Sequence, residues 1–391
     1  MRVLHVTPYF APAFRYGGPP RSILGLCKGL QRAGVQVEVL TTAANGPLDL
    51  AASPREGSVY DGVPVRYTPV RFPRRFFGAA VRTPLSLALP HVDLCHVHGI
   101  WNVPEWIATR QARARGVPYV VSPRGMLQPS ARRHRRWRKQ LAFWLLERSS
   151  LGAADLLHAT SEDEGTILRS LRLHVPVAVV PNGVDVGAAA TAEPTFRARL
   201  GIPRDAFVVV FLGRIHPIKR LDLLAAAFAS LRDTFSAAHL VLAGPDERGD
   251  LAGIMSRLTA HAGFVHAVDT LGEDEKWSLL RDANVLVQCS DSESFGLAVA
   301  EAMAAGVPVV VTRTCPWPEI EARECGFYVE QSAAAIAGAL RQLATNRARA
   351  FEMGRSGAAF ARERYGWDAI GRRVAASYAD VLEQRRRARV A

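Results

Sequence analysis

Along the chain, short runs of β-branched and aliphatic residues alternate with longer stretches whose apolar positions recur every three or four residues. In the first half the runs are VLHVT (3–7), VQVEVLT (35–41), DLCHVHG (93–99), PYVVSP (118–123) and VAVVPNG (177–183). From Phe207 the scheme repeats with FVVVFLG, HLVLAGP, NVLVQCS, PVVVT and GFYVE. A continuous apolar run is a strand buried on both faces, and helices between such strands are crossovers of a parallel sheet. The pattern predicts an α/β chain of two doubly wound, Rossmann-like domains. The Gly-, Ala- and Pro-rich stretch 183–205 is the expected linker, giving domains at 1–190 and 191–365. Residues 366–391 read as an amphipathic helix packing back toward the first domain, its final arginines a solvated end. Doubly wound sheets bind ligands at the carboxyl ends of their strands, so the site is expected in a cleft that the two domains face across.

Length agrees, since 391 residues suit two domains rather than one core. The five cysteines are scattered without a C-x2-C pair. That argues against a disulfide framework or zinc site and for a reducing, cytoplasmic setting. MRVLHVTPYF reads as a first strand rather than a signal peptide, and no apolar run approaches the roughly 20 residues of a membrane span. The net charge of +13 is uneven: residues 1–190 carry 24 Lys+Arg against 12 Asp+Glu, and residues 191–391 carry 25 against 24. Six of those charges, Arg132, Arg133, Arg135, Arg136, Arg138 and Lys139, crowd around Trp137 ahead of LAFWLL. Such a surface suits anionic lipid headgroups or a lipid-linked pyrophosphate, and places the protein at the inner face of the cell membrane. No nucleic-acid reader motif accompanies the run, so a nucleic-acid partner is not expected.

Neither G-x-G-x-x-G nor G-x4-G-K-[ST] occurs, which argues against dinucleotide oxidoreductases and P-loop enzymes. The chemistry instead concentrates in SDSESFGLAVAEAMAAGVPVVV (290–311). A strand ends near Ser290 and a helix starts around Phe295–Gly296, where unpaired amides and the helix dipole favour an anion. Glu293 in the loop and Glu301 inside the helix are carboxylates able to reach different parts of one ligand, such as a sugar ring and a ribose diol. FLGRIHPIKRLDLL adds Arg214 at a strand end and Lys219 five residues on. Together they could clamp a pyrophosphate from the other side and stabilise a departing diphosphate without a metal.

In the first half, Gly17 and Gly18 follow the first strand and would let backbone approach a ligand. DLCHVHGIWNVPEW sets His96 and His98 on one strand face, with Trp101 and Asn102 at the lip. His-x-His hints at a metal pair, yet no third ligand of suitable spacing is legible, and none is expected. SPRGML puts Arg124 at another strand end.

The Glu-x7-Glu string, the Arg214…Lys219 segment, SPRGML and PNGVD (181–185) occur in the order seen in retaining, GT-B-fold glycosyltransferases of family 4, and the chain resembles that family over essentially its whole length. The resemblance implies that Glu301 holds the ribose hydroxyls and that Glu293 lies near the transferred sugar. The Phe295, Gly296 and Leu297 amides would contact pyrophosphate and sugar, Gly17 and Gly18 the donor phosphates or acceptor. His98 matches a histidine at the transferred sugar, while Trp101, Asn102 and Arg124 would face the acceptor. Arg220 stands where the family usually has glycine. SPRGML is similar to members that build surface polysaccharides, which implies a nucleotide-sugar donor, a glycan or polyprenyl-pyrophosphate-linked acceptor, and no cofactor. Retention follows from the family, and with no evident nucleophile a front-side displacement is expected. The rival readings are a nucleotide-sugar epimerase and a non-catalytic membrane-docking subunit.

Overall fold

The computed structural model describes residues 1–46, 48–50, 57–70, 78–128, 143, 147–246 and 248–390. The basic run from Arg132 to Lys139 lies outside them, as do Leu141, Trp144 and Leu145. The described residues form two compact units, one of residues 1–183 with 367–391 and one of residues 184–366.

The second unit is a six-stranded parallel sheet in the order Val265–Val268, Ala238–Ala243, Phe207–Leu212, Val285–Gln288, Val309–Thr312, Gly326–Val329. Numbered along the chain this is 3-2-1-4-5-6, and the order reverses between Phe207–Leu212 and Val285–Gln288. Phe207, Val209 and Phe211 enter one apolar cluster while Val208 and Val210 enter another, which is why the run is unbroken. The first unit has eight strands, running Val177–Val179, Leu156–Ala159, Tyr119–Ser122, Leu94–His98, Arg2–Val6, Gln36–Thr42, Val63–Thr68 and Ser58–Tyr60. All are parallel except the edge pair Ser58–Tyr60 with Val63–Thr68. Its reversal falls between Arg2–Val6 and Leu94–His98.

The second unit starts earlier than the expected 191. Val184 N–H donates to the Tyr365 carbonyl at 2.7 Å, and Asp185 caps a helix over Val186–Thr191 whose Ala189 is buried in that unit's core. Small alanines that read as linker are there because they pack closely. The C-terminal helix Trp367–Val390 buries Ile370, Val374, Tyr378 and Val381 as one stripe in the core of the first unit. It crosses helix Gly18–Arg32 at a contact only glycine allows: a Cβ on Gly29 would sit 2.4 Å from the Trp367 carbonyl oxygen, and one on Gly371 2.3 Å from Gly29. With this helix counted in, the first unit holds 30 Lys+Arg against 14 Asp+Glu, and the second 19 against 22. No helix among the described residues is long and apolar enough to cross a membrane.

Candidate functional site

In the second unit the expected residues gather at the carboxyl ends of the two strands flanking the reversal, where open α/β sheets hold ligands. Exposed Arg214 follows Phe207–Leu212, and a short 3-10 turn Pro217–Lys219 comes next, its start capped by His216 Nδ1. Arg220 adopts a left-handed conformation, φ 53° and ψ 43°, which is what glycine would provide there. Its guanidinium bonds Asp222 at 3.0 Å and Asp291 at 3.2 Å, anchoring the turn despite the strain. The neighbouring loop is laced to it, as Asp291 N–H donates to the Ile218 carbonyl at 2.8 Å.

That lacing sets the geometry of Glu293. Its Oε1 accepts from Lys219 Nζ at 2.5 Å, from Gln288 Nε2 at 2.7 Å and from Ser290 Oγ at 2.7 Å. The ion pair is mostly buried, with side-chain exposures of 17% and 12%. The helix Leu297–Ala304 begins after Gly296, which has φ 83° and whose Cβ would stand 3.0 Å from Trp317 Nε1. Phe295 turns inward, its ring packed on Trp317 and Tyr365 and its carbonyl accepting from Trp317 Nε1 at 2.5 Å. Glu301 is buried, and its Oε1 accepts from Lys276 Nζ at 2.7 Å. Lys276 escaped the sequence reading because GEDEKW looks like a solvated helix start.

The first unit builds its own cluster at its reversal. Gly17, φ 80°, caps helix Gly18–Arg32, and Pro19 and Pro20 occupy the first turn where no amide bond is lost. His5 lies in register with His96, and its Nδ1 is 2.8 Å from His98 Nε2. Arg124 donates from Nε and Nη2 to His98 Nδ1 at 3.2 and 3.1 Å, and from Nη1 to Ser22 Oγ and Asn182 Oδ1. His96 Nδ1 meets the Tyr378 hydroxyl at 2.6 Å. Burial first, and then the neighbouring rings and the Arg124 charge, hold His96 and His98 well below the usual imidazole value and bring His5 down to about 3.

His5 is the third ring that the sequence did not offer, since spacing along one strand cannot report a residue on the next. The ligand nitrogens of His5, His96 and His98 lie within 4.8 Å of one another. The donor set nevertheless does not fit a cation. A guanidinium only donates, so His98 Nδ1 keeps its lone pair toward Arg124 and the proton sits on Nε2, facing His5. A metal at the centre would need that Nε2 lone pair. Both His98 nitrogens are engaged inside the unit, so a sugar contact from this ring requires one of those bonds to break.

Buried carboxylates hold the segment that follows strand Leu94–His98. Trp101, φ 74°, donates its N–H to Glu147 Oε1 at 2.8 Å and its indole N–H to the Met126 carbonyl at 3.3 Å. Asn102 Nδ2 bridges the Ile100 carbonyl and Glu105 Oε1, both at 3.1 Å. Burial pushes Glu105 up to about 8. Trp101 and Asn102 remain half-buried, as does Arg124.

Residues 192–360 match the family model described as glycosyl transferases group 1, and residues 17–183 match a glycosyl transferase 4-like domain. A D-inositol 3-phosphate glycosyltransferase of Streptomyces scabiei is 31% identical, over 100% of this chain and 92% of its own. Another, from Catenulispora acidiphila, is 31% identical over 94% of this chain and 91% of its own. Among solved structures, sucrose-phosphate synthase from Thermosynechococcus elongatus superposes with a TM-score of 0.79 at 20% identity, covering 98% of this chain and 99% of that one. Anabaena HepE in complex with UDP-glucose does so with 0.76 at 16%, covering 97% and 100%. Two Rossmann-like units, a Glu-x7-Glu loop and helix, and these matches lead to one assignment: the chain belongs to the family 4, group 1 glycosyltransferases, nucleotide-sugar-dependent enzymes of GT-B fold.

Proposed function

We propose that the enzyme moves a hexose from its nucleotide-sugar to a glycan or polyprenyl-pyrophosphate-linked acceptor in surface polysaccharide synthesis, with retention and without a metal. The observation that carries this is Glu293 held by Lys219, Gln288 and Ser290 beside the start of helix Leu297–Ala304. In this reading Glu301 accepts the ribose hydroxyls, and the amides of Phe295, Gly296 and Leu297 receive phosphate. Arg214 and Lys219 offset the charge of the departing diphosphate, as a cation would elsewhere. Glu293 meets the transferred sugar and orients it. With no second carboxylate assigned as nucleophile, the leaving phosphate oxygen takes the acceptor's proton on the face where the new bond forms. Gly17 and Gly18 give close backbone approach, while Trp101, Asn102 and Arg124 receive the acceptor and His98, braced by His5 and Arg124, forms a rigid wall.

The net charge of +16 on the first unit supports attraction to an anionic cytoplasmic leaflet, at about 1 kcal/mol per basic group near the surface. A second reading, a phosphorylated polyol acceptor, is favoured by the inositol 3-phosphate relatives. Purified enzyme offered UDP-, GDP- and ADP-hexoses with either a lipid-linked glycan or inositol 3-phosphate separates the two. Glycan elongation with the donor's anomeric configuration kept supports the first. Transfer only to the polyol supports the second, and an inverted product contradicts retention.

A further inference from the structure

Lys276 is 4% exposed and Glu301 6%, and they meet at 2.7 Å across two helices, Glu273–Asp282 and Leu297–Ala304. Lys276 Nζ also reaches Glu273 Oε2 at 2.6 Å and lies 4.3 Å from the Trp277 ring. Three contacts therefore fix one ammonium, and that ammonium fixes the Glu301 carboxylate. A buried ion pair is a poor way to gain stability, because well-packed apolar residues of the same volume do as well or better. It does leave a carboxylate with acceptor capacity in a set rotamer, since one ammonium on Oε1 uses only part of the roughly four lone-pair sites. The lysine comes from the helix that begins immediately after Gly272, at the end of the loop following strand Val265–Val268.

We propose that Lys276 is a positioning residue for the donor's ribose, holding Glu301 in the orientation that accepts the 2′- and 3′-hydroxyls and thereby setting the site's preference for ribose over deoxyribose. The proposal rests on Glu301 being the ribose ligand. Without Lys276 the carboxylate would lose its fixed rotamer and be left as a buried charge without its counter-ion, so the affinity that depends on the diol falls while contacts to phosphate persist.

The experiment measures dissociation constants of UDP, GDP and ADP and of their 2′-deoxy counterparts for the full chain, with Lys276→Met, Lys276→Ala and Lys276→Arg. Lys276→Ala removes the ammonium and leaves room for water beside Glu301, which keeps the test open if Lys276→Met does not fold. Wild type should prefer the ribonucleotide by about tenfold or more, the worth of a charge-assisted hydrogen bond. That ratio should shrink to about twofold in Lys276→Met and Lys276→Ala, and return toward wild type in Lys276→Arg. A Lys276→Met ratio equal to wild type overturns the proposal. Were Lys276→Met unfolded, a Lys276→Ala ratio equal to wild type would do the same. A wild type with no ribose preference, or none of the nucleotides binding, overturns instead the underlying reading of Glu301.

Discussion

Replacing Lys219 by Met should separate what the Lys219–Glu293 pair does for the fold from what it does for transfer. The pair is 2.5 Å apart with most of both side chains covered. Truncating one partner of a buried pair costs about 3–5 kcal/mol, largely from stranding the other charge. Here Glu293 Oε1 keeps hydrogen bonds from Gln288 and Ser290, each worth about 1 kcal/mol or somewhat more to a charged acceptor. The remaining loss in unfolding free energy should be about 1–3 kcal/mol, and Glu293→Gln added to Lys219→Met should recover part of it. Transfer should suffer more, because the ammonium is also asked to stabilise diphosphate as it leaves: about 2–5 kcal/mol, or roughly 30- to 4,000-fold in kcat/KM. Urea unfolding of the four proteins of the cycle, beside initial rates with a responding donor, provides both numbers. Transfer within threefold of wild type, or a rate loss no larger than the stability loss implies, would refute the clamp.

Stability should peak near pH 6.5. Burial leaves His5 at about 3 and His158, on strand Leu156–Ala159, at about 4, with His96 and His98 also well below the ordinary 6.5, so only the unfolded chain binds those protons. Their contribution is complete above pH 6.5 and lost as pH falls, at up to about 1.4 kcal/mol per unit each. Glu105, raised from 4.5 to about 8, acts with opposite sign: its contribution is present below 4.5 and lost as pH rises toward 8. Urea midpoints that stay flat between pH 5 and 6.5 would contradict the first, and an unchanged alkaline slope in Glu105→Gln the second. Gly296→Ala puts a Cβ 3.0 Å from Trp317 Nε1 at a left-handed φ, and should cost about 1–2 kcal/mol of stability and donor affinity with it. Equal donor affinity would show that this helix start is not the phosphate site. Gly29→Val drives a side chain into the Trp367 carbonyl and should lower stability by about 1–3 kcal/mol, seen as an earlier melt, while an unchanged melt would deny the helix contact.

The second sheet was largely legible because its strands are buried on both faces, and Phe207–Leu212 or Val309–Thr312 therefore read as unbroken apolar runs. Val63–Thr68 was missed because Pro64 and Arg66 interrupt it near the sheet edge, and Leu156–Ala159 because Asp155 and His158 leave only two aliphatic residues in a row. Residues strung along one segment, such as Glu293 with Glu301 or Arg214 with Lys219, could be read together. His5, Lys276 and Glu105 could not, because what makes them special is a neighbour that the fold brings from elsewhere. Arg220 shows the converse: a departure from the expected glycine kept the left-handed turn because Asp222 and Asp291 hold the new side chain.

The most direct test of the account is donor binding in excess EDTA, followed as thermal stabilisation of wild type, Lys219→Ala and Glu301→Ala by UDP-, GDP- and ADP-hexoses. A donor at 100 times its dissociation constant should stabilise wild type by about 2.7 kcal/mol with or without chelator. Both variants should lose most of that gain at the same concentration. Binding that vanishes with EDTA and returns with Mn²⁺, or that is equal in all three proteins, would contradict a donor site built from these side chains alone.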